Sequence, residues 1–239
     1  MANIEVLNFE QHAEVLIQSK FVDSLGYNTG VVSILPNEIQ SLQREFPIVF
    51  RKNPETGDLI LNAMLGFEPD QNLFLTDSGV WGADYVPLAF AKGPFLMGPI
   101  NTPEGGEKIA FFIDSEDPRV NKDAGEKIFD EQGELTEYME SVRQSLHVVR
   151  EGAQFSNDMV QEFNKAELIE PLSLDMKFES GEQITLDGAY TISHEKIQQL
   201  TAEQLHTLNV KGYLELAFYI ASSLSNVQRL VNLKNAKNS

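Results

Sequence analysis

Cysteine is absent from the 239 residues of the chain. The sequence therefore excludes disulfide bonds, thiolate metal sites and a cysteine nucleophile. Because disulfides are typical of oxidising compartments, their exclusion is consistent with a reducing one. Tryptophan is nearly absent as well, since Trp81 is the only one, and it marks a segment, residues 65–95, that is dense in aromatic and turn residues.

Long apolar runs are also missing. The longest, from Tyr213 to Leu224, is interrupted by Glu215 and falls far short of the roughly 20 residues that span a bilayer. Residues 1–8 have neither the basic start nor the apolar centre of a signal peptide. The sequence therefore predicts a cytoplasmic protein.

Basic residues are scarce, with 18 Lys and Arg against 36 Asp and Glu, and the formal net charge is −18. Residues 101–140 hold 12 of the acids and 4 of the bases. Such a surface repels phosphate backbones and anionic lipids, so we expect no nucleic-acid and no membrane partner. The simplest role of an acidic surface is solubility.

Several catalytic and cofactor motifs are missing too. The sequence has no Gly-x-x-x-x-Gly-Lys-[Ser/Thr] and no Gly-x-Gly-x-x-Gly, the loops that cradle phosphates. It also lacks the Gly-x-Ser-x-Gly turn that presents an esterase serine. We therefore expect no cofactor, and no motif indicates a reaction.

What is present is a series of short strand patterns separated by turn residues. Residues 3–9 alternate apolar and polar side chains, as a half-buried strand does. By similar patterns, further strands are predicted at residues 12–17, 31–35, 47–51, 59–65, 108–113, 172–178 and 184–192. Turn sequences within 47–65 and 172–192 predict two hairpins.

Helical spacing of apolar residues predicts helices near 136–165 and 201–233, after a short one over 38–45. Gly152 leaves open whether the first of the long ones is a single helix or two. Gly212 is predicted to end one helix before a final helix that runs to about Leu233.

Strands do not alternate with crossover helices, so the fold class indicated is α+β with antiparallel hairpins in the N-terminal half. A single domain over residues 1–239 is expected. A soft internal boundary falls near 101–135, where the composition becomes acidic and rich in turns.

A set of short fragments resembles the SapC-like family, known from bacterial surface-layer gene clusters. The N-terminal fragments are Phe46–Phe50, Leu65–Gly66, Asn72–Phe74, Gly79-x-Trp81, Tyr85-x-Pro87 and Pro94–Phe95. The C-terminal ones are Leu168–Leu172, Leu186–Tyr190, Leu200, Gly212–Leu214 and the last helix from Ser223. The resemblance covers about residues 12–233.

The resemblance implies an accessory role in peptide or cell-surface modification. It also implies partners among halogenase-like flavoproteins and cupin-type oxygenases, which share gene groups with the family. Where the family carries an Arg-Arg-Tyr-like triplet, this chain has Phe90-Ala91-Lys92-Gly93. Only Lys92 would remain there to bind an anion, and lysine lacks the bidentate fork of arginine.

Candidate ligand-binding residues lie in the aromatic segment. Aromatic side chains with one directional amide and one cation could form a pocket wall for a peptide or an amino-acid side chain. The candidates are Asn72, Trp81, Tyr85, Phe90, Lys92 and Phe95. The alternative is that the aromatic residues fill the core.

No metal site is predicted, although two patterns come near one. His12 and Glu14 have the spacing that opens a two-histidine, one-carboxylate iron site on one face of a strand. The third ligand would have to be His147, His194 or His206. The carboxylates of Asp114, Glu116 and Asp117 could hold calcium, but a solvated loop neutralised by Arg119 is the simpler interpretation.

The leading hypothesis is a non-catalytic binding protein that recognises a peptide, an amino-acid side chain or a protein partner. One alternative is a metal-dependent oxygenase-like enzyme that uses His12 and Glu14. Another is a structural subunit of a surface-layer or export assembly. An apolar stripe on the final helix would suit either a homodimer face or the chain's own sheet. Its residues are Leu214, Phe218, Ala221, Leu224, Val227 and Val231.

Overall fold

The computed structural model describes residues 2–101 and 105–237, without the side chains of Ala153 and Gln154. The strands are β1 (Ile4–Val6), β2 (Leu16–Ile17), β3 (Val31–Ser33), β4 (Ile48–Lys52), β5 (Leu59–Met64), β6 (Phe95–Asn101), β7 (Glu107–Asp114), β8 (Val120–Asn121), β9 (Glu126–Lys127), β10 (Ile169–Lys177) and β11 (Gln183–Ile192). The helices are α1 (Phe9–His12), α2 (Ile39–Leu42), α3 (Leu88–Ala91), α4 (Glu137–Lys165), α5 (His194–Gln198), α6 (Ala202–Val210), α7 (Tyr213–Ser223) and α8 (Val227–Lys237). The fold is α+β with antiparallel sheets, as predicted.

The largest sheet has the strand order β10-β11-β4-β5-β3, and every neighbouring pair is antiparallel. Both predicted hairpins are confirmed, since β4 pairs with β5 and β10 pairs with β11. Side chains alternate between the two faces of a strand. On one face, Phe50 packs edge-on against Phe163 of α4, with ring centroids 6.5 Å apart. This face carries the large hydrophobic core.

Two three-stranded sheets, β1-β7-β6 and β8-β2-β9, lie outside the large one. Together with the first half of α4 they enclose a second hydrophobic cluster, which includes Ile17, Phe95 and Ile113. Strand β6 was not predicted. The predicted boundary segment, residues 101–135, contains β7, β8 and β9 of these two sheets, and its residues 102–104 are outside the described residues. The single domain and its soft boundary stay predictions.

Helix α4 connects the two clusters as one uninterrupted helix of 29 residues. Met139 and Val142 belong to the second cluster, whereas Met159 and Phe163 belong to the large core. A helix of this length spans about 43 Å. Gly152 does not break it; a Cβ there would lie 3.0 Å from Leu35 Cδ1, so this glycine permits close packing.

The predicted strand 12–17 is wrong in its first half. His12 ends the short helix α1, and only Leu16–Ile17 is extended. The cause is local, because the side chain of Asn8 caps the helix by accepting from Gln11 N at 3.0 Å. The ring Nδ1 of His12 also lies 3.0 Å from the Asn8 carbonyl oxygen.

The predicted final helix is divided in two. A 3-10 turn over Leu224–Asn226 separates α7 from α8. Tertiary contacts hold this turn, since Asn226 Nδ2 donates to Gln43 O at 2.8 Å. Just before it, Ser223 Oγ accepts from Ile48 N at 2.9 Å. Apolar periodicity does not report such contacts, so the stripe appeared continuous.

The buried side of α7 also differs from the predicted stripe. The residues that face the core are Tyr213, Ala217, Ile220 and Ser223. Leu214 and Ala221 are half-buried and Phe218 is exposed, so these stripe residues lie beside the core-facing side. The homodimer face stays a prediction. Within the described residues, no helix has the length and apolar character needed to cross a membrane.

Candidate functional site

Trp81 lies inside the large core and not on an open wall. It is 8% exposed and stacks on Phe74 with ring centroids 5.7 Å apart. Phe90 meets its ring edge-on, also at 5.7 Å. The indole Nε1 donates to the Tyr85 carbonyl oxygen at 2.9 Å. Both the ring and its polar atom therefore have partners within the chain.

Asn72 and Phe95 are buried as well, in different places. The Asn72 amide donates to Tyr27 O at 2.8 Å and accepts from Phe74 N at 3.0 Å. Its nitrogen and oxygen are thus occupied by the backbone of neighbouring loops. Phe95 belongs to the second cluster, whereas Trp81 belongs to the large one. The structure does not bring these side chains to one surface.

Tyr85 is half-buried, and a buried carboxylate holds its hydroxyl. Tyr85 donates to Glu38 Oε1 at 3.3 Å, and Leu88 N donates to the same oxygen at 2.7 Å. Leu35 N donates to the other oxygen at 2.9 Å. Burial raises the pKa of Glu38 above its usual value, although these hydrogen bonds oppose the shift. Burial and the nearby Glu38 also raise the pKa of Tyr85.

Glu45 forms a second attachment for the same loop. Its Oε1 accepts from Asp84 N at 2.9 Å and from Tyr85 N at 3.3 Å. Its Oε2 accepts from Arg229 of α8 at 2.7 Å. Glu38 and Glu45 together fix the backbone of the aromatic segment. Neither role was predicted from the sequence, because a glutamate in a short turn or helix does not indicate which distant backbone groups it will bind.

Lys92 and Phe90, both half-buried, lie beside a group of polar side chains. The Lys92 ammonium donates to Phe95 O at 3.4 Å, and Phe90 meets Tyr27 edge-on at 5.1 Å. Burial lowers the pKa of Lys92, and the charge of Arg119 lowers it further. Lys92 is therefore a poorly solvated cation beside a second one.

Arg119 is already bound within the chain. Its Nε donates to Asp117 Oδ1 at 2.7 Å, and one terminal nitrogen donates to Asp117 Oδ2 at 2.6 Å. The other terminal nitrogen reaches the Tyr27 hydroxyl at 3.5 Å. Burial favours protonated Asp117, but the hydrogen bonds and charge of Arg119 outweigh it and hold its pKa below the usual value. The guanidinium fork is thus committed to Asp117, as the simpler interpretation of the acidic loop predicted.

The metal alternative gains no support from the geometry. His12 and Glu14 do not share a strand face, because His12 ends α1. His147 lies near Phe111, with ring centroids 6.4 Å apart, and His194 lies near Phe218 at 6.2 Å. Over residues 2–101 and 105–237, no three His, Asp or Glu side chains meet in a group able to hold a metal ion.

The outer face of the β1-β7-β6 sheet is mainly apolar, with Lys108 and Asp114 near the two ends of β7, and is uncovered by the described residues. Phe95 and Ile113 point to the second cluster, so their strand neighbours point outward. Ile4, Val6 and Leu96 are 47%, 42% and 40% exposed. The outward residues, called here the outer sheet face, are Ile4, Val6, Leu96, Gly98, Ile100, Lys108, Ala110, Phe112 and Asp114.

The alternation over residues 3–9 could have revealed this face. It separates Ile4 and Val6 from Glu5, as the structure does. Alternation does not say which of the two faces meets the core, so the apolar one was expected to be half-buried. Exposed apolar patches of this kind commonly mark interaction sites.

Of the comparisons with known proteins, only the comparison with family models gave a match. The family model described as SapC matches residues 7–230 of the chain. Neither the curated proteins nor the solved structures gave a match. The matched range includes β2 to β11, whereas β1 lies before it.

Proposed function

The chain belongs to the SapC family, and on this basis, with its exposed apolar sheet face, we propose that it is a non-catalytic accessory protein that binds a protein partner. The outer sheet face carries the proposal. Its apolar side chains include Ile4, Val6, Leu96 and Phe112, and the first three are at least 40% exposed. They come from three adjacent strands and so form one surface.

Covering this face would stabilise a complex through apolar burial. Full burial of one such side chain contributes about 1.5–3 kcal/mol relative to full exposure. Because these side chains are already about half-covered, the remaining gain is about 1 kcal/mol each. The sum lies within the range that a few central residues contribute at protein interfaces.

A protein surface suits this face better than an anionic lipid or a nucleic acid. The net charge of −18 opposes binding to either of those polyanions. A partner with an apolar patch and a basic rim would meet no such repulsion. By family association, the partner classes that we propose are halogenase-like flavoproteins and cupin-type oxygenases, which act in peptide or cell-surface modification.

The test is a binding measurement between the chain and such an enzyme from its own gene group. Leu96→Glu places a charge on the outer sheet face, in the row formed by Val6, Phe112 and Leu96 across the three strands. Val210→Glu makes the same change at the end of α6, where Val210 is 70% exposed. We expect titration calorimetry to show at least tenfold weaker binding for the first variant, about 1.4 kcal/mol, and no change for the second.

Two results would contradict the proposal. Equal affinities for the wild type and Leu96→Glu would remove the outer sheet face as the contact surface. Turnover of a peptide substrate by the purified chain alone would remove the accessory role. If a second copy of the chain covered the outer sheet face, light scattering would show a particle of twice the 26.8 kDa monomer mass.

A further inference from the structure

The β10–β11 hairpin bends across the large sheet, and its tip packs against α8, where Phe178 and Val231 belong to one apolar cluster. Ala189 pairs with Arg51 on β4, and Gly188 then adopts a φ of +75°. This left-handed conformation favours glycine, and the hairpin register shifts beside it. Beyond the bend, Phe178 reaches Phe67, with ring centroids 5.3 Å apart. Phe67 follows the far end of β5, so the hairpin crosses the sheet.

A small cavity of about 70 Å³ lies beneath this bend. At ~15 Å³ for each water position, its volume corresponds to about five water molecules, or a short branched carbon chain. The side chains that line it are mostly apolar, and they include Val31, Val49, Met64, Phe67, Leu186 and Ala189. A preformed apolar cavity with few polar groups is typical of a ligand site.

Arg51 connects this cavity with the surface. It lines the cavity and also a shallow depression of about 420 Å³ beside it, which Asn53 and Asn62 border. Arg51 is exposed. Its guanidinium has no hydrogen bond or ion pair among the residues that the structure describes. In a chain with twice as many acids as bases, an uncommitted arginine at a cavity mouth requires an explanation.

Thr191 adds a second uncommitted polar group on this face. It lies two residues along β11 from Ala189, so both side chains are on the same side of the sheet. Thr191 is 4% exposed. Within the described part of the chain, its hydroxyl is the one buried side-chain oxygen or nitrogen without a hydrogen-bond partner. Buried polar groups are nearly always paired, so this hydroxyl is an exception, although Thr191 is not among the residues that line the cavity.

From these observations we infer that the cavity binds a carboxylate attached to a short apolar chain. The carboxylate lies on Arg51, whose planar guanidinium matches it with two parallel hydrogen bonds. The apolar chain lies between Val49, Met64 and Leu186. The C-terminal residue of a peptide has this chemistry, and so does a free short-chain acid. This site is on a different sheet from the outer sheet face and does not depend on the proposed partner.

The experiment compares two probes by titration calorimetry on the full chain. One probe is a glycine–serine hexapeptide that ends in valine with a free carboxylate, and the other is 3-methylbutanoate. We expect at least one of them to bind, and we expect amidation of the peptide terminus to abolish its binding. Binding of the peptide alone identifies a C-terminal residue as the ligand, whereas binding of both identifies the carboxylate and its branched chain.

Matched variants assign the site. Arg51→Gln should weaken binding at least tenfold. Arg143→Gln makes the same change at an exposed position on α4, outside the cavity and the depression, and should change nothing. Filling the cavity by Ala189→Val should also weaken binding, with circular dichroism to confirm folding.

Three outcomes would overturn the inference. The first is that neither probe binds at concentrations up to about 10 mM, which corresponds to less than ~3 kcal/mol of binding free energy. The second is an equal loss of affinity in Arg51→Gln and Arg143→Gln, which would indicate general charge attraction. The third is undiminished binding of the amidated peptide.

Discussion

The hydroxyl of Tyr85 donates to the carboxylate of Glu38 over 3.3 Å, although 46 residues separate the two in the chain. Glu38 is 1% exposed, and Leu88 N shares the oxygen that Tyr85 contacts. One buried carboxylate therefore holds the start of α3 and the ring of a candidate binding residue. This contact attaches Tyr85 and the start of α3 to the turn that begins at Leu35.

We expect Glu38→Gln to destabilise the fold by about 1–3 kcal/mol, because an amide nitrogen would face a backbone donor inside the core. The measurement is urea unfolding at pH 7. Tyr85→Phe removes only one of the three donors and should cost about 1 kcal/mol. Glu55→Gln, at an exposed hairpin turn, is the charge-matched control and should stay within about 0.5 kcal/mol of the wild type. A loss no larger than in the control would show that the Glu38 contacts contribute no stability.

The same carboxyl group predicts a pH dependence. Its pKa in the folded chain is raised above the usual 4.5, so the folded state keeps this proton after the unfolded chain has lost it. The unfolded state then binds fewer protons, and stability falls as pH rises from 4.5 towards the folded pKa. We expect the stability difference between the wild type and Glu38→Gln to shrink over this interval. A difference that grows with pH would contradict the raised pKa.

Arg119→Lys should destabilise the chain by about 1–3 kcal/mol, because lysine cannot donate to both oxygens of Asp117 from a mostly buried position. Arg143→Lys is the matched control. Its pair with Glu140 is solvent-exposed, and such pairs contribute about 0–1 kcal/mol. Chemical unfolding of the two variants side by side makes the comparison. Equal losses would mean that the Arg119 fork has no special role.

Trp81 allows a direct optical measurement, since it is the only tryptophan. Its burial against Phe74 predicts a blue-shifted emission in the native state and acrylamide quenching several-fold weaker than in urea. Native quenching close to that of the unfolded chain would instead place Trp81 in an open cleft, as a ligand-binding wall would need.

Local chemistry explains what the sequence could predict. A helix was predicted from residue 201, and a capping box begins α6 there, with Gln204 N donating to Thr201 Oγ1 at 3.2 Å and Thr201 N donating to Gln204 Oε1 at 3.0 Å. The β10–β11 hairpin and α4 also follow from neighbouring residues, since turn sequences and helical periodicity act over a few positions.

Long-range pairing explains what could not be predicted. Strand β1 pairs Ile4 with Asp114, and nothing in either segment identifies the other. The prediction of a ligand-binding wall depended on the direction in which the Trp81 and Phe95 side chains point. Tertiary packing determines that direction. The proposed role of Arg51 could not be predicted from the sequence either, because the cavity beside it forms only when the β10–β11 hairpin bends at Gly188.

The central claim is that the outer sheet face contacts a protein partner, and site-specific photocrosslinking tests it most directly. A benzophenone side chain replaces Leu96 in one variant and Val210 in another, each irradiated with the partner enzyme. We predict a heteromeric adduct from position 96 and none from position 210. Adducts of equal yield from both positions, or from position 210 alone, would contradict the claim.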